Sequence, residues 1–499
     1  MKGAGRYLVL LFSLPLTMLN CLPAWAEGNV WTRAGLEGLN ISALAVDPSN
    51  PGTIYAGIDG TGPAFTSSGT GVHVFKSTDG GISWNEVSNG LPPPPAPGDV
   101  YPRMARVSSL VVDSNNSNTV YAGIFSVYWT PGWVHDAPSL FKSTDGGANW
   151  TRADSGLPAG LLGDFVLAAD PQNPNTLYAA SGDSSQVYKT TDGGTSWNPT
   201  VRSPSLGDYL LDNFHSALAV DPRHADTVYL GLYGGGLFKS ADGGVTWSEA
   251  IKGPLVVSDN LTLKTEHALM GVSTIAIDPQ SPDTIYVGTT NLCGCMDEPL
   301  PTGIWKSTDG GASWNASNLG LPPANSVEVA WPITKLAVHP DSAGTVYAAI
   351  TGFVLKSTNG GENWVPLRDS LDSVGVSVYI TSLALTSARP SVLYTGSSRQ
   401  GAFKITDQIP VLSVNSRYCT TSPWTLTVVN GAPNATMGLI GTSDGQPWEV
   451  AEWGKTDANG TYIESGAFTE QVRGSYTLMA DIGGAHSNVF SFAVSDCDN

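Results

Sequence analysis

Apolar and polar residues alternate along this chain in short runs, each closed by a cluster of Gly, Pro, Asp or Ser. One phrase returns seven times. It reads ALAVDPSNPGTIYAG at 43–57, SLVVDSNNSNTVYAG at 109–123, VLAADPQNPNTLYAA at 166–180 and ALAVDPRHADTVYLG at 217–231. It continues as TIAIDPQSPDTIYVG at 274–288, KLAVHPDSAGTVYAA at 335–349 and SLALTSARPSVLYTG at 382–396. Each copy is an apolar strand, a turn built on Asp-Pro or a variant of it, and a second strand carrying Tyr. A shorter word returns six times at intervals of 47 to 67 residues: STDGGISW, STDGGANW, TTDGGTSW, SADGGVTW, STDGGASW and STNGGENW. It follows an alternating run such as Val74-Phe75-Lys76 or Leu237-Phe238-Lys239 and leads into another that begins near its Trp. The two phrases together give four strands per unit, which is the makeup of a propeller blade, and seven units.

Asp-Gly-Gly between two alternating runs is a hairpin signal, because glycine reaches positive φ without steric cost. The Asp of each copy (Asp79, Asp145, Asp192, Asp242 and Asp309, with Asn359 in the last) is expected to accept hydrogen bonds from buried N–H groups of its own turn. The Ser or Thr two positions earlier offers a second local contact. The Trp of each copy (Trp84, Trp150, Trp197, Trp247, Trp314, Trp364) is expected to fold back over the turn and bury its ring. Residues present in every repeat read as structural.

The seventh unit ends at Gly401-Ala402-Phe403-Lys404-Ile405 without its own copy of the short word. The segment Asn29-Val30-Trp31-Thr32-Arg33 matches the missing strand, so the N-terminal segment is expected to complete blade seven and leave no open sheet edge. After Thr406 the phrases stop, and alternating runs separated by turns such as Ser443-Asp444-Gly445 continue to the end. The expectation is an all-β protein. Residues 1–26 form a signal peptide, 27–407 a seven-bladed β-propeller, and 408–499 a small immunoglobulin-like or fibronectin-like β-sandwich.

The short word resembles the Asp-box, or BNR repeat, S-x-D-x-G-x-x-W. The families that share it include sialidases, xyloglucan-degrading glycosidases, sortilin-type receptors and a photosystem assembly factor. The resemblance implies a β-propeller in which the box is structural, and it covers enzymes and non-enzymes alike. Sialidases need an R-I-P motif and three arginines around a carboxylate-bearing sugar. No R-I-P occurs here, and Arg103-Met104-Ala105 is no substitute, so sialidase chemistry is not expected. Xyloglucanases embrace their substrate between two propellers, whereas this chain carries the repeats of one.

Lys2 and Arg6, an apolar run from Tyr7 to Leu22, and Ala24-Trp25-Ala26 make a secretory signal with cleavage near Ala26, and hence a secreted or periplasmic protein. The formal charge of −19 argues against nucleic acid and anionic membranes as partners, and no later segment is long and apolar enough to span a bilayer. Of the cysteines left after cleavage, Cys419 and Cys497 flank the final segment and are expected to be bridged. Cys293-Gly-Cys295 suits a tight local disulfide, since two thiols without a His cluster make a poor metal site. No metal or cofactor is implied, and a monomer is expected.

In a four-stranded blade the Asp-Pro turns and the Asp-Gly-Gly turns fall on one face, short and uniform. The long irregular connections fall on the other, where binding usually resides. They carry the carboxylates Asp136, Asp212, Glu266, Asp297 and Glu328, and the ring-bearing residues Tyr101, Trp129, Trp133, Tyr209, His215, His267, Trp331 and Tyr379. Trp129-Thr-Pro-Gly-Trp133 with Asp136 suits pyranose stacking, and equally suits tethering a long loop. The reading is a non-catalytic recognition or scaffold protein whose loop-rich face binds a glycan or an extracellular protein. The alternative is a glycoside hydrolase or lyase that uses two loop carboxylates on an extracellular polysaccharide.

Overall fold

The computed structural model describes residues 31–60, 72–93, 103–128, 139–158, 164–181, 186–201, 217–232, 236–250, 270–291, 303–321, 332–342, 344–367, 371, 378–387 and 391–407. Beyond these it describes the strand segments 411–416, 423–429, 436–443, 446–456, 461–467, 474–482, 485–486 and 490–494. The expected signal segment, all five cysteines and the long-loop candidates except Tyr379 lie outside the described residues.

Seven four-stranded antiparallel sheets follow one another in sequence. In blade 1 the strands run Ile41–Val46, Ile54–Ile58, Val74–Ser77 and Asn85–Glu86, from inner to outer edge. The inner strand of each blade lies against that of the next, and that of blade 7 lies against that of blade 1, so the sheets form a closed ring. Closure uses the segment expected for it. Thr32–Arg33 pairs antiparallel with Gly401–Asp407, Thr32 opposite Lys404 and Arg33 opposite Phe403, as the outer strand of blade 7.

The core sits between blades. The second strands, such as Ile54–Ile58 and Val346–Ile350, are buried along their whole length because both faces meet a neighbouring sheet. Tyr55 of blade 1 and Val107, Ile124, Phe141 and Trp150 of blade 2 form one such apolar layer. The glycine that ends the Tyr phrase is needed for this approach: a Cβ on Gly57 would stand 2.5 Å from Val107 of the next blade. Ala180 and Ala349 fill the same position in blades 3 and 6.

Downstream of the ring, one sheet orders Val411–Ser416, Pro423–Val429 and Tyr462–Ala467, and a second is built around Thr436–Ser443, Gln446–Lys455 and Gly474–Ile482. Both are antiparallel.

Candidate functional site

The antiparallel order sorts the connections. Turns from first to second strand and from third to fourth share one end of the ring, and all others share the opposite end. At the turn end, Ser77 donates to Asp79 Oδ1 (2.8 Å) and accepts from the Gly81 N–H (2.8 Å). Asp79 accepts from the N–H and the hydroxyl of Ser83, at 2.9 and 2.6 Å. Asn149 and Thr246 supply the same side-chain donor in blades 2 and 4, and Asn359 accepts from the Asn363 N–H in blade 6. The aspartates stand at the surface with the residues that donate to them, so the expectation of buried donors does not hold. The buried member is the hydroxyl: Ser77, Ser143, Thr190, Ser240, Ser307 and Ser357 are at most 1 % exposed. Hydrogen bonds from the residue four positions on hold Asp79, Asp145, Asp192, Asp242 and Asp309 down to about 2.

Trp84, Trp314 and Trp364 lie against the second glycine of their own turns, as expected, and the indole N–H groups reach further. Trp150 donates to the Val87 carbonyl, Trp197 to Ala153, Trp364 to Ser317 and Trp84 to Ala34, in each case on the outer edge of the preceding blade. Trp314 bonds both ways, to Ala250 and to Gly311 of its own turn. Trp150, Trp197 and Trp364 are buried, while Trp84, Trp247 and Trp314 are half-buried. Trp31, just before the closing strand, makes the equivalent bond to Leu367.

The same junctions are tied from the other side. Tyr55 and Lys76 of blade 1 both donate to the Gly146 carbonyl of blade 2, at 3.1 and 3.0 Å, with the Lys76 ammonium 5.2 Å from the Tyr55 ring centre. Tyr121 with Lys142, Tyr229 with Lys239, and Tyr394 with Lys404 repeat the arrangement onto Gly193, Gly310 and Gly80. Burial pushes Tyr55, Tyr121 and Tyr394 up to about 12, so each phenol stays a donor. The junction between blades 3 and 4 departs from the pattern: Tyr178 donates to Ala225 and Lys189 pairs with Asp226. At these junctions the turn end holds the ring together.

The loop end differs. Asp136, Asp212, Glu266, Asp297, Glu328, Tyr101, Trp129, Trp133, Tyr209, His215, His267 and Trp331 belong to its connections and lie outside the described residues. Tyr379 is described and is 48 % exposed. Sequence reasoning missed a charged group at the inner strands of this end. Arg106, in the inner strand of blade 2, donates from Nε and Nη2 to the two oxygens of Asp164 at 2.8 and 2.7 Å, and its guanidinium stacks 4.5 Å above the Phe125 ring. Asp59, where the second strand of blade 1 ends, bridges Arg106 through the backbone. Burial opposes the Arg106 charge, but the Asp164 fork and the Asp59 carboxylate outweigh it and the proton is held more firmly than usual. The other described carboxylates at this end, such as Glu37, Glu86, Asp154 and Glu249, stand at the outer strands.

The fold defines a seven-bladed β-propeller whose loop end carries a carboxylate–guanidinium cluster between blades 1 and 3. No family model matches the chain. A xyloglucanase of Paenibacillus sp is 25% identical over 395 residues, covering 70% of this chain and 35% of the relative. A probable oligoxyloglucan-reducing end-specific xyloglucanase of Neosartorya fischeri is 29% identical over 162 residues, covering 31% of this chain and 18% of the relative. The chain thus spans about a third of one relative's length and under a fifth of the other's. Among solved structures, an ancestral GH74 enzyme superposes with a TM-score of 0.52 at 17% identity, covering 93% of this chain and 62% of that one. This is a likeness of fold. Among the described residues no helix is long and apolar enough to cross a membrane.

Proposed function

We propose that the protein is a glycoside hydrolase acting outside the cytoplasm on a β-glucan of the xyloglucan type, with its reaction centre on the loop end of the ring. The observation that supports this most is the similarity to a xyloglucanase across 70% of the chain. It favours hydrolysis over the scaffold reading that the repeats alone recommend. Hydrolysis needs two carboxylates facing across the scissile bond, one as acid and one as base or nucleophile. Asp59 is the described candidate for one of them. It is half-exposed at the inner edge of the loop end and pairs through the backbone with Arg106. Asp164 is forked to Arg106, so its part is to fix that guanidinium. The second reactive carboxylate then comes from the loops, with Asp136, Asp212, Glu266, Asp297 and Glu328 as the residues to replace in turn, and Trp129 and Trp133 as stacking surfaces.

Reducing-end release from xyloglucan and a panel of β-glucans tests the reading. Asp59→Asn should cost about 10²–10⁴-fold in turnover, the usual worth of a positioned acid or base, with substrate binding retained. Release unchanged by Asp59→Asn would remove that residue from the chemistry. Binding with no release from any substrate would favour recognition without turnover. That second reading has its own support, since the chain matches only 35% of the xyloglucanase's length.

A further inference from the structure

The inner strands share a landmark at the loop end, a fully buried apolar residue: Ile41, Val107, Phe165, Val272, Ile333 and Ile380 in blades 1, 2, 3, 5, 6 and 7. The blade 4 equivalent lies outside the described residues. The residue just before the landmark is therefore a comparable seat around the ring. In blades 5 and 6 the seat holds Gly271 and Pro332, which offer neither a polar side chain nor an aromatic ring. From blade 7 through blade 3 it holds Tyr379, Asn40, Arg106 and Asp164. Chemistry-bearing residues thus occupy one arc of four consecutive blades. Asp59 lies within that arc: its N–H donates to the Asn40 carbonyl at 2.8 Å, and it pairs through the backbone with Arg106. Tyr379 is the aromatic member of the arc.

The backbone of Tyr379 is held from both sides. Its neighbours Val378 and Ile380 are buried in the apolar layer between blades 6 and 7, so alternation turns the Tyr379 side chain away from that layer, to the side of blade 1. The Val378 carbonyl accepts from the Gly352 N–H of blade 6, and the Tyr379 carbonyl from the Ser398 N–H of its own blade, both at 2.9 Å. The Ser398 hydroxyl lies 3.4 Å from Asn40 Oδ1, a weak bond that joins the Tyr379 hairpin to the residue whose carbonyl holds Asp59. An exposed ring on a fixed backbone loses little freedom when a ligand settles on it. We propose that Tyr379 is a substrate-binding residue that stacks on a glucosyl ring of the β-glucan beside Asp59, and so fixes which sugar unit stands there. This rests on the hydrolase reading above. The C–H face of a pyranose is apolar and matches a phenol ring in width, whereas Arg106 and Asp164, across Asp59 from Tyr379, suit hydroxyl groups.

The test is reducing-end release from xyloglucan by the wild type, Tyr379→Ala and Tyr379→Phe, with calorimetric binding of a xyloglucan oligosaccharide to the same three proteins. Loss of one stacked ring should raise KM and Kd about tenfold, with kcat unchanged, the mark of binding shared by ground state and transition state. Tyr379→Phe should keep the wild-type values. All three should melt together, because the ring is exposed; Tyr379→Leu serves if the Ala variant does not fold. Wild-type KM and Kd in Tyr379→Ala would remove Tyr379 from the site and leave the hydrolase reading intact. Equal losses in the Ala and Phe variants would overturn stacking. Binding that weakens in Tyr379→Ala alone, with no release by the wild type, would support the subsite and overturn hydrolysis. Neither binding nor release by the wild type would overturn both.

Discussion

Trp31 offers the sharpest test of how the ring is closed. Its indole is 6% exposed and packs with Leu371, Val378, Leu393 and Phe403, while its N–H bonds the Leu367 carbonyl at 3.2 Å. An indole that buries about 200 Å² at roughly 25 cal/mol per Å² contributes on the order of 5 kcal/mol as an upper figure. Measured Trp→Ala losses of about 3–5 kcal/mol agree with this. Native stabilities are about 5–15 kcal/mol, so Trp31→Ala should remove a large part of the total. Urea unfolding followed by far-ultraviolet circular dichroism reads the loss. Trp31→Phe should recover most of it, lacking only the N–H bond at about 1 kcal/mol. Removal of residues 27–35, which also strips the pairing with Lys404 and Phe403, should cost at least as much as Trp31→Ala. An unchanged urea midpoint in Trp31→Ala, or a truncated chain that melts with the intact one, would refute closure by this strand.

Ser143→Ala should destabilise by about 1–3 kcal/mol, because it leaves the buried Gly147 N–H without its acceptor; Asp145→Ala, at the surface, should cost clearly less by the same urea titration. The turn aspartates make stability fall in acid: their folded values near 2 lie below the ordinary 3.8, so their contribution is complete above about pH 4 and is lost as pH drops toward 2. Asp309→Asn should flatten that acid slope, while Asn359→Ala should leave it unchanged, as urea midpoints between pH 5 and 2.5 would show. Arg106→Ala strands the Asp164 carboxylate and should cost toward the lower end of about 3–5 kcal/mol, given the residual exposure of the pair; Asp164→Asn in the same chain should recover part of it in a double-mutant cycle.

The ring was legible because its evidence is repetition. Seven copies of the Tyr phrase set the blade number, and the missing copy of the short word in blade 7 pointed to Trp31-Thr32-Arg33. The repeated Lys of the third strands was equally visible, but its role needs two blades at once: Lys76 acts on a glycine 70 residues away. The same holds for the tryptophans, which read as lids on their own turns and also bond the preceding blade. The expected burial of the N–H groups that donate to the turn aspartates failed because period-2 patterning says nothing about the rim of a ring, where hairpin tips face water. Arg106, Asp164 and Lys335 escaped because repetition does not mark a residue that occurs in a single blade. The signal for Lys335 was nonetheless present, in KLAV at 335–338 set against ALAV at 43–46 and 217–220.

Repetition also explains why chemistry belongs at the opposite end from the turns. A group present in every blade meets nearly the same surroundings each time, and here those surroundings engage it fully: turn hydroxyls in glycine N–H bonds, phenols and ammonium groups on glycine carbonyls, indoles on neighbouring edges. Residues held in this way serve the ring. A sevenfold scaffold becomes an asymmetric site only where single blades depart from the consensus without loss of the junctions. Three departures stand at the loop ends of inner strands: Arg106 in blade 2, Asp164 entering blade 3, and Lys335 in blade 6. The first two satisfy each other and set a rigid reference from which an asymmetric site can be built.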